Sequence, residues 1–290
     1  MFKGALTALV TPFRDGAVDA AALRDLIEWQ IQSGIDGLVP CGSTGESATL
    51  SHSEHDTVIK ITIEQTRKRV PVVAGTGSNS TAEAIRLTAA AREMGADAAL
   101  LISPYYNKPT QDGIFRHYKT IAASVDLPLL VYNIPGRTGS NIAPETFARL
   151  AEIKNIVGVK EASGSMDQSS DILHLCGDAI TILSGDDALT LPLMSLGAKG
   201  VISTTSNIMP REMHDLAAAA LAKDFSRARE IHFRMLPVMR ALFVETNPIP
   251  VKQALAFMGK CANELRMPLV TMTAGPAEKL RVAMKELRLI

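Results

Sequence analysis

Cysteine is scarce in this chain. Cys41, Cys176 and Cys261 are odd in number, far apart and outside any CxxC pair, which argues against a disulfide framework and for a reducing, cytosolic setting. An excess of either charge is also lacking: thirty basic residues face thirty acidic ones. No run of five or six like charges occurs, so neither a nucleic-acid nor a membrane partner is expected, and a small-molecule ligand is. No segment approaches the run of about 20 apolar residues that a membrane span needs. The apolar start, residues 4–13, has a single lysine before it and is closed by Arg14 and Asp15, too short and too weakly charged for an export signal. The six histidines form no HExxH and no His-x-His after the first apolar run, so no metal is expected. The glycine-rich stretch Gly42-Ser43-Thr44-Gly45 lacks the GK[ST] ending of a nucleotide-binding loop. No cofactor is expected either.

What is present is apolar side chain in quantity, 47% of 290 residues, enough for a large core without disulfide or metal. It comes in eight short runs, at residues 5–10, 37–41, 71–74, 98–103, 128–132, 156–160, 181–184 and 200–203. Each is closed by Gly, Ser, Thr or Pro, and helical patterns such as 20–32, 53–67 and 81–94 lie between them. Ser53-Glu54 and Thr81 with Glu83 mark helix starts, and Gly34 and Gly95 fall where helices should stop. Strands apolar throughout, alternating with helices, specify a parallel sheet covered by helices. Eight such units favour a closed (β/α)8 TIM barrel over an open flavodoxin-like sheet. The pattern ends at Asp224, so residues 1–223 are expected to form the catalytic barrel. Residues 224–290 are expected to form a C-terminal helical appendage, with helices at 225–244, 249–258 and 276–289.

Barrels of this kind carry their reactive groups at the C-terminal ends of the strands. The polar residues that close the runs are therefore the candidates: Ser43, Thr44 and Glu46; Tyr105, Tyr106 and Asn107; Tyr132 and Asn133; Lys160 and Glu161; Asp186 and Asp187 after Gly185; Thr204 and Thr205. Lys160 shares a strand face with Gly158, whose missing side chain is expected to leave space beneath it. Desolvation there lowers an amine's pKa, as attack on a carbonyl near neutral pH requires. A lysine that ends a strand can equally snorkel to water. Tyr132 precedes Lys160 by 28 residues, one barrel repeat, which places it at similar height roughly 5 Å away on the adjacent strand. A phenol there can relay protons at a forming imine, or simply be a core tyrosine. Gly42-Ser43-Thr44-Gly45 has the composition of an anion nest or of an ordinary turn. Asp186 and Asp187 suit the N-terminus of the following helix.

Three stretches, read together, carry a resemblance: Gly37-Leu38-Val39-Pro40-Cys41-Gly42-Ser43-Thr44-Gly45-Glu46-Ser47, Tyr132-Asn133-Ile134-Pro135-Gly136-Arg137-Thr138-Gly139, and Gly158-Val159-Lys160-Glu161-Ala162. They resemble the dihydrodipicolinate synthase and N-acetylneuraminate lyase superfamily, in order along nearly the whole chain. The resemblance implies a class I aldolase in which Lys160 forms a Schiff base with pyruvate. Tyr132, Ser43 and Tyr106 would relay protons, the last contributed by the neighbouring subunit of a tight dimer. Thr44 would bind the pyruvate carboxylate, and Gly185 and Ile202 would line its pocket. Arg137 resembles the synthase-branch arginine that holds the carboxylate of L-aspartate 4-semialdehyde, the acceptor in lysine and diaminopimelate biosynthesis. Ser43 stands where that branch more often has threonine, a spelling shared with the neuraminate lyases. A pyruvate-releasing N-acetylneuraminate lyase or 2-keto-3-deoxy sugar acid aldolase is therefore the alternative, and a non-catalytic ligand-binding barrel is the alternative of another class. Ser47, Ala48, Leu50, His52, His55, Asn79, Glu83 and Tyr105 match the positions that bind L-lysine as feedback inhibitor, with His52 and His55 equally readable as solvated surface residues. The resemblance also implies a homotetramer, a dimer of dimers.

Overall fold

The computed structural model describes residues 2–290. The eight apolar runs become eight parallel strands: β1 Gly4–Ala8, β2 Gly37–Val39, β3 Val73–Gly75, β4 Ala98–Ile102, β5 Leu129–Asn133, β6 Ile156–Glu161, β7 Thr181–Ser184 and β8 Gly200–Ser203. Neighbours in sequence are neighbours in the sheet, and β8 pairs back onto β1. A parallel bridge between Leu38 and Val72 joins β2 to the start of β3, so the sheet closes into the expected TIM barrel. A hairpin pairing Phe13–Arg14 with Ala17–Val18 follows β1.

The helices that follow the strands are α1 Ala20–Gln32, α2 His52–Thr66, α3 Thr81–Met94, α4 Gln111–Ser124, α5 Pro144–Ala151, α6 Met166–Cys176, α7 Thr190–Leu196 and α8 Pro210–Leu221. Local chemistry sets their ends. Ser51 and Glu54 form a reciprocal capping box, so α2 begins at His52 rather than Ser53. Ser80 caps α3, and Gly95 ends it at φ 93°, where a side chain would be strained.

Two apolar layers result. Ile156, Val159, Leu129 and Val131 face the helices, while Leu130, Tyr132, Leu183 and Ile202 fill the barrel. The pairing of β5 with β6 slips by one residue: Leu129 opposes Ile156, yet Leu130 opposes Gly158. Val157 is the extra residue, and it packs half-buried against the inner layer that holds Leu130 and Tyr132. From there on the register runs Val131 to Val159 and Tyr132 to Lys160.

Three helices follow the barrel: α9 Phe225–Ala241, α10 Ile249–Phe257 and α11 Ala274–Glu286. They match the expected helical tail with ends shifted by a few residues. α9 lies along α8, and α11 packs on α9 and α10. Among the described residues no helix is long and apolar enough to cross a membrane.

Candidate active site

β6 delivers Lys160 to the C-terminal mouth of the barrel, on the interior face, where it is 7% exposed. Its ladder partners are Tyr132 on β5 and Leu183 on β7. The amine nitrogen lies 4.3 Å from the centre of the Tyr132 ring. Burial pulls the amine's pKa from the ordinary 10.5 down to about 8, against the pull of the Asp187 carboxylate and with the help of the Arg137 guanidinium. Among the described residues no carboxylate reaches ion-pair distance of Lys160, whereas Lys252 has one at 2.5 Å.

The room for this side chain comes from Gly185, at the end of β7. A Cβ there would stand 3.1 Å from Lys160 Cε and 2.6 Å from Ala162 Cβ. The expectation that Gly158 supplies the space is corrected. A Cβ at Gly158 would meet the Thr181 carbonyl oxygen at 3.0 Å and Leu130 Cγ at 3.3 Å, so that volume already belongs to the neighbouring strands.

Tyr132 is 6% exposed, and burial pushes its phenol up to about 12, opposed by the Arg137 charge and the neighbouring Ser43 hydroxyl. It is a protonated phenol near neutral pH. The loop after β2 is framed by two residues in the left-handed region, Cys41 at φ 56° and Glu46 at φ 53°. Gly45 N–H donates to the Gly42 carbonyl at 3.0 Å and Glu46 N–H to that of Ser43 at 3.2 Å. Among the described residues the N–H groups of Ser43 and Thr44 have no protein acceptor, which is the arrangement of an anion nest. Thr44 is buried, and its hydroxyl accepts from Asn247 Nδ2 at 2.9 Å.

Arg137 sits in a helical turn, Pro135–Thr138, past β5 and donates through Nη2 to the Asn247 carbonyl at 2.8 Å. Ile202 is buried in the barrel interior on β8. These residues therefore converge on one mouth. Tyr106 stands apart: it is 89% exposed, at φ 71°, on the loop past β4, and does not line the pocket of its own barrel.

The second group of candidates lies outside that mouth. His52 Nε2 and Glu83 Oε1 are 2.8 Å apart, Ser78 also hydrogen-bonds Glu83, and Asn79 Nδ2 donates to the Tyr105 carbonyl at 3.1 Å. Ser47 and Ala48 lie in a short helical turn before α2, with Leu50 just past it. His55 is not a solvated residue: it is 5% exposed, pairs with the Gly75 carbonyl at 2.9 Å, and burial lowers its pKa.

Two residues of the site have roles that the sequence reading did not assign. Asp186 takes the helix-start role, accepting from Ala188 N–H at 2.9 Å, but Asp187 turns inward. Its Oδ2 accepts from Thr205 N–H and Thr205 hydroxyl, both at 2.7 Å, and from Thr204 N–H at 3.2 Å, tying β7 to β8 beside Lys160. Burial raises its pKa despite these bonds. Asn247 is the other, reaching the mouth from just before α10; an Asn-Pro turn signal at Asn247-Pro248 was its only local mark.

The family model described as Dihydrodipicolinate synthetase family matches residues 1–287. The 4-hydroxy-tetrahydrodipicolinate synthase of Syntrophus aciditrophicus is 59% identical over 290 residues, which is 100% of both chains. Among solved structures, the chloride inhibited dihydrodipicolinate synthase from Acinetobacter baumannii complexed with pyruvate superposes with TM-score 0.99 at 47% identity, over 100% of both chains. DHDPS from Cyanidioschyzon merolae with lysine bound superposes with TM-score 0.97 at 41% identity, covering 100% of this chain and 99% of that one.

Proposed function

The chain belongs to the dihydrodipicolinate synthetase family and is a lyase, and from that premise we propose that it condenses pyruvate with L-aspartate 4-semialdehyde to 4-hydroxy-tetrahydrodipicolinate through a Schiff base on Lys160. The observation that carries this reading is Lys160 itself, buried beside Tyr132 with no carboxylate partner and a pKa of about 8. Such an amine is neutral in a sizeable fraction of molecules near pH 7.5 and can attack the keto carbon of pyruvate.

The carbinolamine must then lose its hydroxyl as water, which needs a proton donor at the mouth. Tyr132, protonated and beside the Ser43 hydroxyl, fits that task. Loss of a methyl proton from the imine gives an enamine, whose carbon attacks the aldehyde of the semialdehyde. The amino group of that second substrate then displaces Lys160 from the imine carbon, closing the ring and freeing the lysine. Thr44 and the free N–H groups of the loop suit the pyruvate carboxylate, and Arg137 suits the carboxylate of the semialdehyde, with its planar fork. Gly185 and Ile202 line the pyruvate pocket in this reading, and Tyr106 serves the relay of a neighbouring subunit in a dimer of dimers.

Incubation with pyruvate and borohydride, followed by peptide mapping, tests the chemistry. A reduced pyruvate adduct on Lys160 is expected, and its absence overturns the reading. Added aspartate semialdehyde should then make pyruvate fall; a rise of pyruvate with N-acetylneuraminate would assign a lyase acting in the opposite direction.

Feedback inhibition by L-lysine belongs to the same proposal. The lysine-bound relative and the linked group of His52, Glu83, Asn79 and Tyr105 support it. Glu83 is held ionised by Ser78 and His52, which lower its pKa, and a carboxylate of that kind suits an ammonium ligand. An unchanged rate at millimolar lysine would count against it. A division into a catalytic barrel at 1–223 and a helical region at 224–290, and a cytosolic location, complete the proposal.

A further inference from the structure

We infer that the segment from Asn247 to Lys252 is a positioning brace for the carboxylate-binding loop at residues 43–45, acting through Thr44 and Glu46. It rests on the proposed role of Thr44 and adds residues to it. A threonine hydroxyl has one proton to give and two lone pairs to offer. Asn247 Nδ2 donates to Thr44 Oγ1 at 2.9 Å, so the hydroxyl meets Asn247 as an acceptor and keeps its proton for an anion. The carbonyl of the same Asn247 holds the Arg137 guanidinium at 2.8 Å. One residue therefore touches the anchors proposed for both substrate carboxylates.

Five residues on, inside α10, Lys252 grips the other end of the loop. Its side chain and that of Glu46 are both 0% exposed, with Nζ 2.5 Å from Glu46 Oε1. Lys252 Nζ also donates to the Glu264 carbonyl at 2.8 Å and lies 4.0 Å from the centre of the Phe13 ring. Glu46 Oε2 accepts from Arg266 N–H at 3.0 Å. A buried ion pair is poor value as a stabiliser, because desolvation offsets most of its attraction; its best-attested use is to specify one arrangement over others. Here the arrangement has a reason to need specifying. Glu46 is held at φ 53°, which a residue with a Cβ adopts only when its surroundings over-determine it, and its N–H closes the loop onto the Ser43 carbonyl.

The test uses three variants of the full chain, each checked by thermal unfolding: Asn247→Ala, Thr44→Val and their combination. Asn247→Ala is expected to raise the KM for pyruvate about tenfold, the equivalent of one hydrogen bond, while kcat stays within about threefold. The combination should be no worse than Thr44→Val alone, because the two residues act as a unit. A neutralised pair, Glu46→Gln with Lys252→Met, should fold and also raise pyruvate KM several-fold. The inference is overturned if Thr44→Val raises KM but Asn247→Ala and the neutralised pair stay within about twofold of the parent, or if the Asn247 and Thr44 effects simply multiply. Failure of the underlying reading looks different: the parent itself then gives no pyruvate adduct on Lys160.

Discussion

Among the described residues two lysines are buried, Lys160 on β6 and Lys252 on α10, and they are buried in opposite ways. Lys252 is locked to Glu46 at 2.5 Å, donates to a carbonyl and sits over an aromatic ring. Lys160 has the aromatic ring, Tyr132, but no carboxylate within ion-pair distance, and its nearest influences from charged groups, Asp187 and Arg137, pull in opposite directions. Burial lowers the pKa of both. Only the unpaired one gains anything chemical from it, since Lys252 would have to abandon Glu46 as a lone buried carboxylate to become a nucleophile. Burial makes a lysine uncomfortable; the absence of a partner is what leaves it reactive.

That contrast can be broken by substitution. Lys160→Met should fold and lose condensation activity by on the order of 10⁴-fold or more, with no borohydride-trapped adduct anywhere on the chain; an adduct that moves to Lys252 would erase the distinction. Lys252→Met should lower stability by about 3–5 kcal/mol in denaturant unfolding, because Glu46 stays buried without its counter-ion. A smaller effect lies in pH. Adduct formation with pyruvate should rise about tenfold per pH unit at low pH and flatten above about 8, following the neutral amine. A profile that climbs without a break to about pH 10 would place Lys160 among ordinary lysines.

The smallest expected effect separates the two residues by sign. The folded pKa of Lys160, about 8, lies below its unfolded value of 10.5, so the unfolded chain binds the extra proton between those limits. Stability from this residue therefore rises with pH across that window, and the penalty is full below it. Lys160→Met should then be more stable than the parent at pH 7, by about 1–3 kcal/mol, with the gain shrinking as pH approaches 10.5. A loss of stability at pH 7 would show the amine to be structural.

Much of this was readable in the chain because barrel strands buried on both faces have continuous apolar runs, and all eight were bounded by small or polar residues. Lys160 and Tyr132 were readable because one repeat of spacing implies one rung of ladder. What stayed hidden depends on contacts without a local signature. The hairpin at Phe13–Arg14 and Ala17–Val18 is too short to show a period. Asn247 meets Thr44 across 203 positions. Gly158 and Gly185 are both glycines near Lys160, and only packing tells that the second makes its room. Asp186 and Asp187 are adjacent and chemically identical, yet one caps a turn and the other ties β7 to β8.

The one-residue slip between β5 and β6 makes the barrel's chemistry a matter of parity. Odd and even positions on a strand look at different worlds, and Val157 is the extra count that the slip absorbs, so that Ile156 and Val159 both face the helices and Lys160 still meets Tyr132. A chain lacking Val157 alone is therefore expected to lose the slip and keep Lys160 opposite Tyr132, whereas one residue inserted between Gly158 and Val159 is expected to turn the amine toward the helices and leave the chain inert; trapping of a pyruvate adduct on the second chain would disprove it. Most barrel strands can be edited for composition. This one can be silenced by counting.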